Sequence, residues 1–391
     1  MWLIFLLFIP TIVLLVGMAI SNGKVTFKEF LLSEAIMCLL VAGGYSIAKH
    51  QSVSDIEIWN GWMAKAEYYE EWWEQVSCRH EIRCTHRDEK GNTLHSNDGH
   101  YHLYDVDYHS PYWEGKTSNG ETLSLSHLYY DELVGLFKNQ EYVTILRFSK
   151  DHGRGNKYVT SYDQAMSTFV STAVPHSFVN YIKASPSSVL RKVGQGDSFK
   201  NLLPEYPTVD QSNWSAKRFL SVGVPIVHLS ELNLMLSVLN GRLGGSKQVN
   251  AMIIAVNTLD SSYIQEFEEK WLGGKKNDLI IVIGCVEYPK ISWVRVTSWS
   301  TSEDLKIELR DKILDVGTFE RSNEILGLVE KGIKEKFIRR KMADFEYLMA
   351  GWQPSAGIMA FLIILGFVVS IGLTVYCTKE DVFGEDRRYR Y

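Results

Sequence analysis

The chain has 391 residues, with 41 Lys and Arg against 46 Asp and Glu and a formal charge of −5. That length leaves room for two ordinary domains, and mild acidity without a long basic run gives no sign of nucleic-acid binding. The mean hydropathy is near zero because strongly apolar segments at both ends offset a polar middle.

Residues 2–20 carry no charge. At 1.5 Å per residue they reach about 28 Å, close to the roughly 30 Å of a hydrocarbon core. Residues 30–48 form a second apolar stretch with Glu34 near its start, and 356–377 form the clearest one. Core helices rarely stay uncharged this long, so the pattern predicts three spans. No basic stretch precedes the first, which reads as an uncleaved anchor. Three spans put the loop carrying Lys24 and Lys28 on the same side as the basic tail 378–391, with Lys379, Arg387, Arg388 and Arg390. The positive-inside rule assigns that side to the cytoplasm and residues 49–355 to the other. Lys336, Arg339, Arg340 and Lys341 oppose this, but they read as part of a folded helix, where the rule says less.

Residues 50–190 read as an α+β ectodomain. In 55–76, Trp59, Trp62, Met63, Ala66, Tyr69, Trp73 and Val76 recur at steps of three and four, which predicts an amphipathic helix. The period then becomes two: Cys78, His80, Ile82, Cys84 and His86 share one strand face. A turn at EKGN and a second alternating arm, HYHLYDVDYH, predict a histidine-rich hairpin. A helix near 126–138 and a strand at 142–148 follow. Residues 191–225 read as a loop-rich linker.

Residues 226–348 are more regular. A helix capped by Ser230 and ended by Gly241 precedes three apolar strands, 251–256, 278–284 and 291–299. A helix over 261–272 joins the first two strands and makes them parallel, and a short turn makes the third antiparallel. Ser300 and Glu303 suggest a capping box for a helix to about 314, and a last helix covers about 323–345. The fold class expected is an α+β/α-β membrane protein. It has a small mixed sheet flanked by helices, a second α+β domain and terminal transmembrane helices.

The stretch AVNTLDSSYIQEFEEKWLGGKKNDLIIVIG resembles the core of TPM domains, known from thylakoid, photosystem-repair and receptor-associated membrane proteins and from bacterial relatives. Trp271, Gly274, Lys275, Asn277 and Asp278 match that pattern, and the resemblance extends over about residues 250–345. It implies an extracytoplasmic domain tethered by an apolar helix, with an accessory or assembly role. At the turn, Asn-Asp-Leu stands where the family has Asp-Asn-Gly. Separately, DVDYHSPYWE with SNGE is similar to uncharacterised membrane proteins of large tailed bacteriophages.

Two sets of residues are candidate metal ligands. Cys84 and His86, two residues apart on a strand, can share a zinc ion with His100 or His102 on a paired strand, against the alternative of an ordinary hairpin. Cys78 and Cys84 on a straight strand would stand about 20 Å apart, too far for a disulfide. Around the TPM-like sheet, Asp260 with Glu287, and Asn277 and Asp278 with Asp304, are candidate ligands for divalent ions such as calcium. Parallel strands put Asp260 and Asp278 at opposite sheet edges, about 17 Å apart, so they cannot share one ion. Asp278 otherwise reads as a turn residue that tolerates alanine. No GxSxG, P-loop or HExxH motif is present. The leading expectation is a non-enzymatic anchored protein, with no required cofactor, that meets the lipid bilayer and a membrane or ectodomain protein. The alternative is a metal-dependent, phosphatase-like hydrolase.

Overall fold

The computed structural model describes residues 2–20, 25, 27–79, 90, 101–148, 151–185, 198–380 and 382. The chain divides into two compact units. One comprises Met1–Asp55, Ser177–Arg191 and Met342–Tyr391, and the other Ile56–His176 and Lys192–Lys341.

A 3-10 segment, Trp2–Phe8, leads into helix α1 (Ile9–Ile20), and α2 covers Phe27–Val53. There follow β1 (Ser54–Tyr69), β2 (Trp72–Arg79), β3 (Tyr101–His109), β4 (Tyr112–Thr117), β5 (Thr122–Ser124), α3 (His127–Phe137), β6 (Glu141–Phe148), β7 (Asp151–Ser161), β8 (Ser171–Val179) and α4 (Tyr181–Ala184). The strands build one eight-stranded sheet in the order β3-β2-β7-β1-β4-β5, with β6 also on β7 and β8 on β1. Helix α3 is capped by Ser126, whose hydroxyl accepts from the Tyr129 N–H at 3.2 Å. It buries Tyr129, Tyr130, Leu133 and Phe137 against Met63 and Ala66 of β1.

Residues 55–76 are therefore strand, where the sequence predicts helix. In β1 the residues 57, 58, 60, 61, 63, 66 and 67 are buried, and the register shifts between Met63 and Lys65. A bulge of that kind moves the alternation out of phase. A strand covered on both faces then buries residues at steps of about three, which imitates a helix. Aromatic side chains, abundant here, favour strands. The expected hairpin begins as β2 and β3, which pair antiparallel with Cys78 opposite His102 and Arg79 opposite Tyr101. Its tip, 80–89 and 91–100, lies outside the described residues.

The second half of this unit contains β9 (Val209–Asp210), β10 (Ser215–Ala216), β11 (Phe219–Val222), α5 (Leu229–Lys247), β12 (Asn250–Val256), α6 (Tyr263–Trp271), β13 (Asp278–Gly284), β14 (Trp293–Ser298), α7 (Glu303–Val316) and α8 (Ser322–Lys336). A four-stranded sheet runs β11-β12-β13-β14. The first three strands are parallel and β14 is antiparallel, as the connections require. Strand β11 lies within the stretch expected to be linker; its four residues are too few to carry a period. Every residue of β12 and β13 is buried. Ile253, Ile281 and Ile283 pack with side chains of α5, α7 and α8, while Met252, Ile254 and Val282 pack with α6.

Three expected helix boundaries differ. Helix α5 starts after His228 without a side-chain cap and continues past Gly241. Ser300 does not cap α7; its hydroxyl donates to the Ile338 carbonyl at 3.0 Å and accepts from the Ile338 N–H at 3.2 Å. Helix α8 ends at Lys336, where Phe337 turns extended, and Met342–Met349 forms a separate 3-10 segment.

The last helix, α9 (Ala356–Lys379), packs with α1 and α2 around Leu6, Ile9, Val13, Met37 and Leu362. Small residues let these backbones approach, as in membrane helix pairs. A Cβ on Gly44 would fall 2.7 Å from Leu362 Cδ2, and one on Gly366 would fall 2.5 Å from Met37 Cε. Helices α2 and α9 are long and apolar enough to cross a membrane. The first expected span is divided between the 3-10 segment and the shorter α1.

Candidate functional site

Asn277 and Asp278 open β13 after a turn in which Gly273 and Gly274 have φ of +71° and +84°. A Cβ on Gly274 would also meet Ile280 Cδ1 at 2.7 Å, so glycine serves both conformation and packing there. The turn brings the Lys275 N–H onto Asp278 Oδ2 at 2.6 Å. Strand register sets Asn250 opposite Asp278, and its Nδ2 donates to Oδ1 at 2.9 Å. The Tyr206 hydroxyl lies 3.1 and 3.0 Å from the two carboxylate oxygens.

The network continues to Arg218, which is 2% exposed. Its Nε donates to Asn250 Oδ1 at 3.0 Å, its Nη1 to the Ala216 carbonyl at 3.2 Å, and its Nη2 to Asn60 Oδ1 on β1. Asn60 Nδ2 returns a bond to the Val249 carbonyl at 2.8 Å, and Asn277 Nδ2 donates to the Ile58 carbonyl at 2.8 Å. This buried polar joint fastens the eight-stranded sheet to the four-stranded one.

Burial pushes the Asp278 carboxyl up to about 7, opposed by the bonds from Lys275, Asn250 and Tyr206. Burial also lowers the Arg218 guanidinium to about 10, with Tyr206 and Asp278 acting the other way. Such buried polar groups are costly to leave without partners. The reading of Asp278 as a tolerant turn residue is thereby corrected. It does close its turn, but it has no exposed surface, and Asn250 donates to one oxygen, the Lys275 N–H to the other, and the Tyr206 hydroxyl lies between them.

The other candidate ligands lie apart. Asp260 is exposed and accepts from the Ser262 N–H at 2.8 Å, a turn contact that lowers its carboxyl. Glu287 is exposed after β13, and Asp304 is exposed in the first turn of α7. The register puts Val256 beside Gly284 and Asn250 beside Asp278, so Asp260 and Asp278 do stand at opposite edges of the sheet. Among the described residues, no three His, Cys, Asp or Glu side chains gather where one ion could hold them. Cys84, His86 and His100 lie outside the described residues, and for His102 the backbone alone is described, in β3.

A second buried acid, Glu57, escaped the sequence reading. Its Oε1 accepts from Trp59 Nε1 at 2.9 Å and from Arg339 Nη2, with Lys276 Nζ at 3.5 Å and His176 Nδ1 at 3.7 Å. The His176 ring stacks on Trp59 at 3.6 Å. Burial and the Arg339 charge lower the Lys276 ammonium while Glu57 raises it, burial being the largest influence. Neither this cluster nor the joint has a motif: each assembles from segments more than a hundred residues apart. The remaining signal was the rarity of an Arg or Asn beside buried apolar runs, as at Arg218 and Asn250.

No family model, curated protein or solved structure matches this chain.

Proposed function

We propose that the chain is a membrane-anchored protein, without catalysis of its own, that presents its α/β unit to a protein partner in an accessory or assembly role. The outward surface of α2 and α9 carries this reading. Core helices of soluble proteins hide their apolar side chains, but only 11% and 17% of the most apolar stretches of α2 and α9 are buried. Leu39, Phe361, Ile364 and Val368 are all more than half exposed, which suits lipid as the surrounding solvent. The resemblance of residues 250–345 to TPM domains supports the same plan. We place the basic tail and residues 21–29 in the cytoplasm and residues 49–355 outside it.

A metal-dependent hydrolase would need acids open to substrate, and the burial of Asp278 weighs against that role for it. The test is twofold. A reporter fused after Tyr391 should read cytoplasm, and crosslinking in intact membranes should give a stoichiometric adduct with one protein. A tail outside the cytoplasm overturns the topology. Stoichiometric zinc or calcium together with phosphate-ester hydrolysis by the purified chain overturns the non-enzymatic role.

A further inference from the structure

A cleft of about 530 Å³ opens where β1, the turn between β4 and β5, and the end of α5 converge. Glycine makes the convergence. A Cβ on Gly244 would fall 2.0 Å from the Asn60 carbonyl oxygen, and one on Gly241 would fall 2.8 Å from that of Gly61. The turn is pinned in place by Asn119 Nδ2, which donates to the Asn60 carbonyl at 2.7 Å, and by Ser118 Oγ, which accepts from the Trp62 N–H at 3.1 Å.

The lining combines two indoles, Trp59 and Trp62, with the polar side chains of Asn119, Arg242, Ser246 and Gln248. Trp59 is held rigid, its Nε1 bonded to Glu57 and its ring stacked on His176. Among the described residues the Arg242 guanidinium makes no hydrogen bond or ion pair, resting over the Phe169 ring at 5.7 Å. Gln248 accepts from Arg339, which leaves its amide N–H groups without a partner among the described residues. No acid lines the cleft among those residues. In the last turn of α5 the Gly244 carbonyl receives the Gln248 N–H, and the Gly245 and Ser246 carbonyls beyond it have no helical N–H to receive.

We infer that this cleft binds an acidic saccharide, a sugar bearing a carboxylate. Flat indoles offer faces to the C–H side of a sugar ring. A guanidinium fork matches a carboxylate bidentately, and helix-end carbonyls accept from hydroxyls. An apolar peptide anchor would instead call for aliphatic lining, and here the side chains are aromatic or polar or absent. The volume lies within the range of small-ligand sites, about 300–1,000 Å³.

The full chain in lipid nanodiscs, applied to an array of matched uronate-bearing and neutral oligosaccharides, tests this. Binding should be confined to acidic members. By calorimetry with the best of them, Arg242→Met should weaken binding about tenfold or more. Arg242→Lys should weaken it less, because it keeps the charge without the fork. Trp62→Leu should also weaken it while leaving the melting temperature in place. An array with no binder, equal binding of neutral and acidic members, or indifference to both Arg242→Met and Trp62→Leu would overturn the assignment.

Discussion

Glu67 in the eight-stranded sheet and Asp278 in the four-stranded one are both buried carboxylates, and they are treated in opposite ways. Glu67 on β1 is covered, which by itself raises its carboxyl. The Tyr69 hydroxyl at 2.7 Å and Lys157 at 3.0 Å, with Lys65 at 3.3 Å, nevertheless hold it down to about 2. Asp278 on β13 meets mostly neutral donors, and its burial wins. Depth alone does not decide the charge of a buried acid. The difference lies in whether the neighbouring chain delivers ammonium groups or amides.

The largest test of the contrast leaves both acids alone. Ile281→Asp puts an unpaired charge into a strand buried on both faces, and the unit should fail to fold, with its near-ultraviolet circular dichroism lost. Asp278→Ala should cost about 3 kcal/mol in denaturant titration, because it strands the buried Asn250 donor, the Lys275 N–H and the Tyr206 hydroxyl. A cost below about 2 kcal/mol would return Asp278 to a simple turn residue.

The pH dependence sharpens the comparison. An unfolded aspartate releases its proton near 4. Asp278 keeps its proton to about 7, so between those values the folded state binds more protons and stability falls as pH rises. Glu67 runs the other way: its contribution is present above about 4.5 and is lost as pH falls towards about 2. Melting curves across pH should therefore lose their neutral-side slope in Asp278→Asn and their acid-side slope in Glu67→Gln. Measured at neutral pH, Glu67→Gln should itself cost about 2 kcal/mol. Asp260→Ala, which removes one exposed turn contact, should cost no more than about 1 kcal/mol by the same denaturant titration.

The two sheets also differ in how far the sequence disclosed them. Strands β12 and β13 are buried on both faces, so a plain apolar run between turns is their whole signature, and a bulge could not disguise it. In β1 the message depended on phase, and the shift between Met63 and Lys65 erased it. The candidate site was legible in location but not in depth. Asp278 stood in a recognisable turn. What buries it comes from 72 residues away at Tyr206, and the joint beyond it closes over 158 residues between Asn60 and Arg218. No local pattern records partners at those separations. The acids Asp260, Glu287 and Asp304 were candidates by their chemistry and their place around the sheet, and the fold leaves them scattered on the surface.

The helix-lined unit is discontinuous in the chain, and that has a consequence for synthesis. Met37 and Gly44 of α2 emerge early, but Leu362 and Gly366 of α9, which pack on them, lie roughly 300 residues later. At ribosomal speeds of about 5–20 residues per second the wait is about 15–60 s. Throughout it, the glycine-notched face of α2 lacks the α9 side chains that fill it in the finished chain. A chain halted before residue 356 would keep that face exposed for good, so quality control has a ready mark for incomplete molecules.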